Sequence, residues 1–246
     1  REIRRCRWLT SCSFGMAKPT RGHGGPWSAS PRRAQVPDLL LIRHGQADSA
    51  GENYDQLTPT GQQQATLIGR WLKEKGYQFD RYFHGGLVRQ RQTLEAIRAE
   101  MSSEAGLSAM EIHDGLAEFD LKVWAVVASH LRHGHAEFAA LLKQWNKARH
   151  ENATNKGDIF KQLTGIILQY WVAQGENFTE AESFPAFRRR VLSVMEIHSK
   201  QTPSIAMENH SYLAVTSGGP ISVLTGEVLG LDLPHVLGVD VEEPRP

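Results

Sequence analysis

Residues 38–47 read DLLLIRHGQA. The first six make a short, nearly continuous apolar run, as expected of a strand buried on both faces of a parallel sheet. The run then breaks into Arg43-His44-Gly45-Gln46, so a buried strand hands over to a polar loop. In open α/β sheets ligands bind beyond the carboxyl ends of the strands, which makes such a handover the first place to look for chemistry. The same tripeptide recurs at Arg132-His133-Gly134, after AVVASHL, in a stretch with helical patterning and no strand-to-loop transition. Three matching residues are weak evidence, so context decides. The first copy stands where chemistry is possible, and the second, without such a transition, is read as chance.

Working outward from that strand, LTPTGQQQATLIGRWLKEKG (57–76) reads as a helix. Thr58 suits the N-cap, Pro59 the first helical position and Gly76 the end. Leu67, Ile68, Trp71 and Leu72 are expected on its buried face. FDRYF (79–83) is a second strand, VRQRQTLEAIRAEM (88–101) a helix and MEIH (110–113) a third strand. The stretch from about 120 to 180 suits helices. SFPAFRRRVLSVMEIHSK (183–200) has Ser183 as cap and Phe184, Phe187, Val191, Val194 and Ile197 at helical spacing. YLAVTS (212–217) is another strand, ending in Gly218-Gly219-Pro220 and followed by a helix, ISVLTGEVLG (221–230). This alternation predicts an α/β domain with a mostly parallel sheet.

The bulk numbers bound the function. The chain has 246 residues, is 40% hydrophobic and 22% charged, and carries a formal net charge of +1. A dedicated nucleic-acid binder normally shows a pronounced basic excess, so no nucleic-acid partner is expected. The basic residues concentrate in 1–36, where Arg1, Arg4, Arg5, Arg7, Lys18, Arg21, Arg32 and Arg33 face only Glu2. That leader has the composition of a transit peptide, but is read as a disordered tail or as sequence upstream of a start at Met16. The domain proper is expected at 37–246. Both cysteines, Cys6 and Cys12, lie in the leader, so neither a disulfide framework nor a Cys-based metal site is expected. No apolar run is long enough to cross a bilayer, and a cytoplasmic location is the default.

Three strand-end loops carry suggestive residues: Arg43-His44-Gly45-Gln46, His84-Gly85-Gly86-Leu87-Val88-Arg89 and Ser217-Gly218-Gly219. Arginines, backbone amides at helix N-termini and a histidine together suit a phosphate. A neutral imidazole there could attack phosphorus, provided its other nitrogen is held by a backbone acceptor. On the tripeptide alone, a structural histidine at a strand end is the favoured reading.

The wider pattern resembles the histidine phosphatase superfamily, the phosphoglycerate mutase-like family. LLLIRHGQA is similar to its nucleophile motif, LTPTGQQQA to its Leu-Thr-x-x-Gly-x-x-Gln-Ala helix start, and HGGLVRQRQTLEA to its Ser-x-Leu-x-Arg-x-x-Gln-Thr segment. GLAEFD, ESFPAFRRRVL and AVTSGGPIS follow a phosphatase-like branch, in the family's order, from about 38 to about 230. The resemblance implies a three-layer α/β/α fold with a helical insertion, a cap at about 120–180. It implies His44 as the residue that carries a phosphohistidine, Arg43 and Arg89 as phosphate-binding cations, and Glu118 as proton donor. Gln46, Ser217 and Gly218 are the further expected substrate contacts. Arg91 is the rival to Arg89, and the spacing from Leu87 favours Arg89. No metal or other cofactor is expected. The expected partner is a small phosphorylated molecule, with a homodimer left open.

Two departures stand out. The family ends its last core strand with a second histidine followed by glycine, whereas here that position is Ser217. A hydroxyl offers only a neutral hydrogen bond, and His210 lies too far upstream to substitute. Hydrolysis is therefore expected to be slowed, and Ser217→His to raise it. The tail VLGVDVEEPRP also lacks a convincing version of the family's further short strand. A phosphoglycerate mutase-type transferase and a non-catalytic phosphate binder are the alternatives. A metal site at His130, His133 and His135 is not expected, because no carboxylate or cysteine accompanies them.

Overall fold

The computed structural model describes residues 7–9, 38–47, 55–101, 109–151, 153–197 and 211–231. The chain divides into two compact units, Arg1–Ala117 with Val194–Ile221, and Glu118–Ser193 with Ser222–Pro246.

The first unit is built on a parallel sheet. Its strands are β1 (Arg7–Leu9), β2 (Asp38–Arg43), β3 (Arg81–His84), β4 (Met110–Ile112) and β5 (Ser211–Thr216). They lie in the order β1-β2-β5-β3-β4, all pairs parallel. β1 falls within the basic segment expected to be disordered; the rest of that segment lies outside the described residues. β2 and β5 are central, and Leu39 to Ile42 and Tyr212 to Val215 are all buried. A strand covered on both faces needs no polar alternation, which is why DLLLIR and YLAVT read as apolar runs.

Two helices cover one face. α1 (Pro59–Glu74) is capped by Thr58, whose side chain accepts from Gly61 N, and α2 spans Val88–Met101. Leu72, Leu94 and Ile97 pack with Leu40, Ile42, Tyr82, Leu213 and Val215 in one cluster. Truncating a buried leucine such as Leu94 to alanine costs about 2–5 kcal/mol. The inner face of α1 matches expectation only in part. Leu72 is buried and Ile68 packs against the cluster, but Leu67 and Trp71 are exposed. The inner face is made instead by Gly61, Ala65 and Gly69. A Cβ on Gly69 would stand 2.6 Å from the Ile97 carbonyl oxygen, so the two helix backbones approach too closely for a side chain there.

The second unit is helical over the stretch where helices were expected. α3 (Leu121–Gly134) is capped by Asp120, α4 (Ala136–His150) by His135, and α5 spans Lys156–Gln174. α6 (Phe184–Leu192) is capped by Ser183 and passes into a 3-10 turn at Ser193–Glu196, so the helix is shorter than its spacing suggested. Phe119, Trp171, Phe184 and Phe187 form an aromatic cluster with ring centroids 5.0–6.3 Å apart. Buried Trp171 keeps its indole N–H satisfied by donating to the Glu182 carbonyl at 2.8 Å. α7 (Gly218–Leu229) follows β5.

The α/β class with a parallel sheet and helical insertion is thus the one observed. The second and third expected strands sit at Arg81–His84 and Met110–Ile112. His210 and the tail beyond Leu231 lie outside the described residues. Among the described residues no helix is long and apolar enough to cross a membrane.

Candidate active site

The centre of the first unit's carboxyl edge is set by strand register. Arg43 of β2 lies opposite Thr216 of β5, and His44 N donates to Thr216 O at 2.9 Å. His44 and Ser217 therefore leave neighbouring strands side by side. Gly45 N donates to Thr93 Oγ1 at 3.0 Å, and Thr93 in turn donates to the Arg89 carbonyl at 2.7 Å. A Cβ on Gly45 would meet the Gly61 carbonyl oxygen at 2.4 Å, and one on Gly61 would meet Gln46 O at 2.2 Å. The glycines of the loop and of the α1 start are required by the same backbone contact. Gly85 is constrained in the same way, since a Cβ there would lie 2.3 Å from Ala117 N.

That packing orients His44. Its Nδ1 lies 2.8 Å from the Gly45 carbonyl, which can only accept, so Nδ1 carries the proton. Arg89 Nε then donates to His44 Nε2 at 3.2 Å, which requires a lone pair there. The pKa of His44 is lowered to about 4, first by burial. The Gly45 hydrogen bond opposes this, the charges of Arg89 and Arg43 add to it, and Asp55 opposes it again. A neutral imidazole whose Nε2 lone pair accepts from Arg89 can act as a nucleophile at neutral pH once that bond is released.

Arg89 is buried and paired with Asp55 at 2.8 Å, whereas Arg91 is exposed and pairs along the helix with Glu95. The structure thus brings Arg89 to His44 and leaves Arg91 on the surface. Arg43 is exposed at the end of β2. Asp55 is a residue that sequence reasoning misses. It accepts from Val88 N at 2.9 Å and Arg89 N at 3.5 Å, besides holding the guanidinium. The α2 N-terminus, expected to be open to an anion, is therefore capped by this carboxylate. An acid in a polar loop, 33 positions before its amide partner, carries no periodic signal in sequence.

The other expected contacts are arranged as follows. Gln46 is exposed, and its Oε1 accepts from Thr58 Oγ1 at 3.0 Å. Gly218 opens α7 with nothing within 4 Å of an added Cβ. Ser217 is buried and accepts from Gln90 Nε2 at 2.9 Å. Glu118 belongs to the second unit, where it is half-buried and accepts from its neighbour Phe119 N at 3.2 Å.

The remaining histidines have separate roles. His133 is exposed in the last turn of α3, His135 caps α4 by accepting from Phe138 N, and His130 meets Glu180 and Tyr170. Among the described residues, no three His, Cys, Asp or Glu side chains are gathered as a metal site.

Comparison with known proteins places the chain in a family. The family model for the histidine phosphatase superfamily (branch 1) matches residues 39–166, just over half of the chain. A broad-specificity phosphatase of Saccharomyces cerevisiae is 33% identical over 72 residues, 27% of this chain and 31% of that protein. A 2,3-bisphosphoglycerate-dependent phosphoglycerate mutase of Methylorubrum populi is 38% identical over 88 residues, 33% of this chain and 41% of that protein. These matches span well under half of the relatives' own length. Among solved structures, an alpha-ribazole-5'-P phosphatase candidate from Escherichia coli K-12 is similar in fold. It has a TM-score of 0.51 at 20% identity, over 81% of this chain and 83% of that one. The strand-end histidine, its glycine and the arginine against it lie where the family model matches, and the chain belongs to the histidine phosphatase superfamily, branch 1.

Proposed function

We propose that the chain is a phosphoric monoester hydrolase that works through a phosphohistidine at His44 on a small phosphorylated metabolite. The observation that carries this reading is the pair of bonds on one imidazole. Gly45 O fixes the Nδ1–H tautomer, and Nε2 keeps its lone pair beside a buried arginine. In the first step His44 Nε2 attacks phosphorus, an N–P bond forms, and the P–O bond to the alcohol breaks. The departing oxygen takes a proton, for which Glu118 is the proposed donor. In the second step water attacks phosphorus and gives a proton back to the Glu118 carboxylate, the P–N bond breaks, and inorganic phosphate leaves with the imidazole neutral again.

Arg89 has two tasks in this scheme. At rest its Nε–H occupies the nucleophile's lone pair, so a phosphate must draw the guanidinium onto its own oxygens before attack. Arg43 supplies the second cation, and a pair of cations can neutralise the equatorial oxygens without a metal ion. Ser217 contributes a neutral donor, so turnover is modest.

The named phosphatases among the relatives favour water as the acceptor. The named mutases support a second reading, in which the phosphohistidine returns its phosphoryl group to a hydroxyl of a phosphorylated acid. A panel of phosphate monoesters assayed without added metal tests the proposal. Release of inorganic phosphate that disappears in His44→Ala is the expected result. Phosphoryl transfer to 3-phosphoglycerate with no net release would favour the mutase reading, and undiminished release from His44→Ala would refute both.

A further inference from the structure

Gln90 sits one residue after the site arginine and is fully buried. Its amide nitrogen donates to the Leu116 carbonyl at 3.1 Å and to Ser217 Oγ at 2.9 Å, and its Oε1 accepts from Leu87 N at 3.4 Å. Both N–H groups and the carbonyl are thereby committed. The Leu116 carbonyl also accepts from Thr216 Oγ1 at 2.6 Å, so the residue preceding Ser217 is tied to the same point.

The consequence falls on Ser217. Its oxygen is an acceptor toward Gln90, which leaves one hydroxyl hydrogen to donate. That hydrogen has no acceptor among the described residues, although the side chain is only 1% exposed. An unspent buried donor is costly unless something outside the protein accepts from it. Strand register puts this donor next to His44.

We infer that Gln90 is a positioning residue for the phosphate site: by donating to Ser217 Oγ it forces the serine's hydrogen toward a phosphate oxygen at the strand end. The inference rests on the phosphatase reading of that site and adds a residue and a direction to it. A side chain that could only accept would reverse the bond and withdraw the hydrogen from the phosphate. Gln90 and Ser217 therefore act as one unit, although 127 positions separate them.

The test is a double-variant cycle read by calorimetric binding of inorganic phosphate to the full chain, alongside KM and kcat for a monoester. Ser217→Ala removes the donor, Gln90→Leu removes the amide at similar volume, and the double variant removes both. One hydrogen bond to a charged acceptor such as phosphate is worth about 1.5–3 kcal/mol, or roughly ten- to a hundredfold in affinity. Each single variant is expected to weaken phosphate binding by that factor, mainly through KM, with no further loss in the double variant. Gln90→Glu is expected to weaken it more.

Effects that multiply in the double variant would overturn the inference. So would a Gln90→Leu protein with a lowered melting temperature and wild-type phosphate affinity, since that describes a purely structural clamp. Should the Gln90 variants fail to fold, unchanged phosphate affinity in Ser217→Ala still overturns it. Phosphate affinity decides the role of Gln90 even if the wild-type protein hydrolyses no monoester, and that outcome would sink the phosphatase reading alone. A wild-type protein that binds no phosphate would sink both.

Discussion

At 43–45 the tripeptide Arg-His-Gly leaves the end of β2; at 132–134 the same three residues make the last turn of α3. In the first copy the glycine has no room for a Cβ, and the histidine is locked by a backbone carbonyl and a buried arginine. In the second, the histidine is exposed and the glycine has nothing within 4 Å of an added Cβ. The residue types are identical, so the difference is carried entirely by the surroundings. A strand end buried among parallel neighbours exposes a backbone edge and desolvates what leaves it. A helix end on the surface does neither.

The largest contrast is expected from the histidines. Removing a covalent nucleophile costs several powers of ten in turnover, so His44→Ala should be inactive in the monoester assay, while His133→Ala keeps wild-type rates. Equal losses would erase the distinction between the copies. Next come the arginines near the first copy. Removing one oxyanion-stabilising donor costs roughly 10²–10³ in turnover, which is expected for Arg89→Ala. Arg91→Ala loses only a surface pair worth about 0.3–0.5 kcal/mol of stability, so steady-state kinetics should separate them cleanly.

The glycines extend the comparison to stability. Gly45→Ala must displace backbone 2.4 Å away, and overpacking of that kind costs about 1–3 kcal/mol. Gly134→Ala has open space and should be neutral, or stabilising by up to about 1 kcal/mol. Denaturant melts of the two variants check this, and equal midpoints would mean that the strand-end contact is dispensable.

The pH dependence sharpens the same point. Because the folded pKa of His44 lies near 4, below the ordinary 6.5, the unfolded chain binds this proton more readily between those values. The contribution of His44 to stability is therefore full above about 6.5, is lost as pH falls toward about 4, and levels off below. Imidazole resonances followed by NMR should show His44 neutral at pH 5.5. A His44 that titrates at 6.5 would contradict the burial argument.

The buried contact with Gln90 motivates the opposite expectation for Ser217→His from the one drawn on the sequence. Ser217 Oγ already stands 2.9 Å from the fully buried Gln90 amide, so the larger imidazole is expected to crowd it and the single substitution to lower turnover. Pairing it with Gln90→Ala should recover part of the loss, and a rise in turnover for Ser217→His alone would refute this.

Why some of this is legible in the sequence and some is not follows from where each signal resides. The β2 strand, the α2 helix and the Thr58 and Ser183 caps are readable because their causes are local: an apolar run, a helical repeat, a side chain three residues from its amide. The inner face of α1 is misread when large apolar residues are counted, because close helix contact selects Gly61, Ala65 and Gly69. Asp55 and Gln90 give no signal at all, since each acts on a partner brought near only by the sheet. The choice of Arg89 over Arg91 rests on family spacing. Its physical basis, burial against His44 and Asp55, exists only in the folded chain.

The most direct measurement is to locate the phosphoryl group. The full chain is exposed briefly to a labelled monoester, quenched in alkali, digested and mapped by mass spectrometry. One alkali-stable, acid-labile phosphate is expected, on the peptide that contains His44 and lost in His44→Ala. A label on the His133 peptide, or one that survives His44→Ala unchanged, would contradict the assignment of His44 as nucleophile.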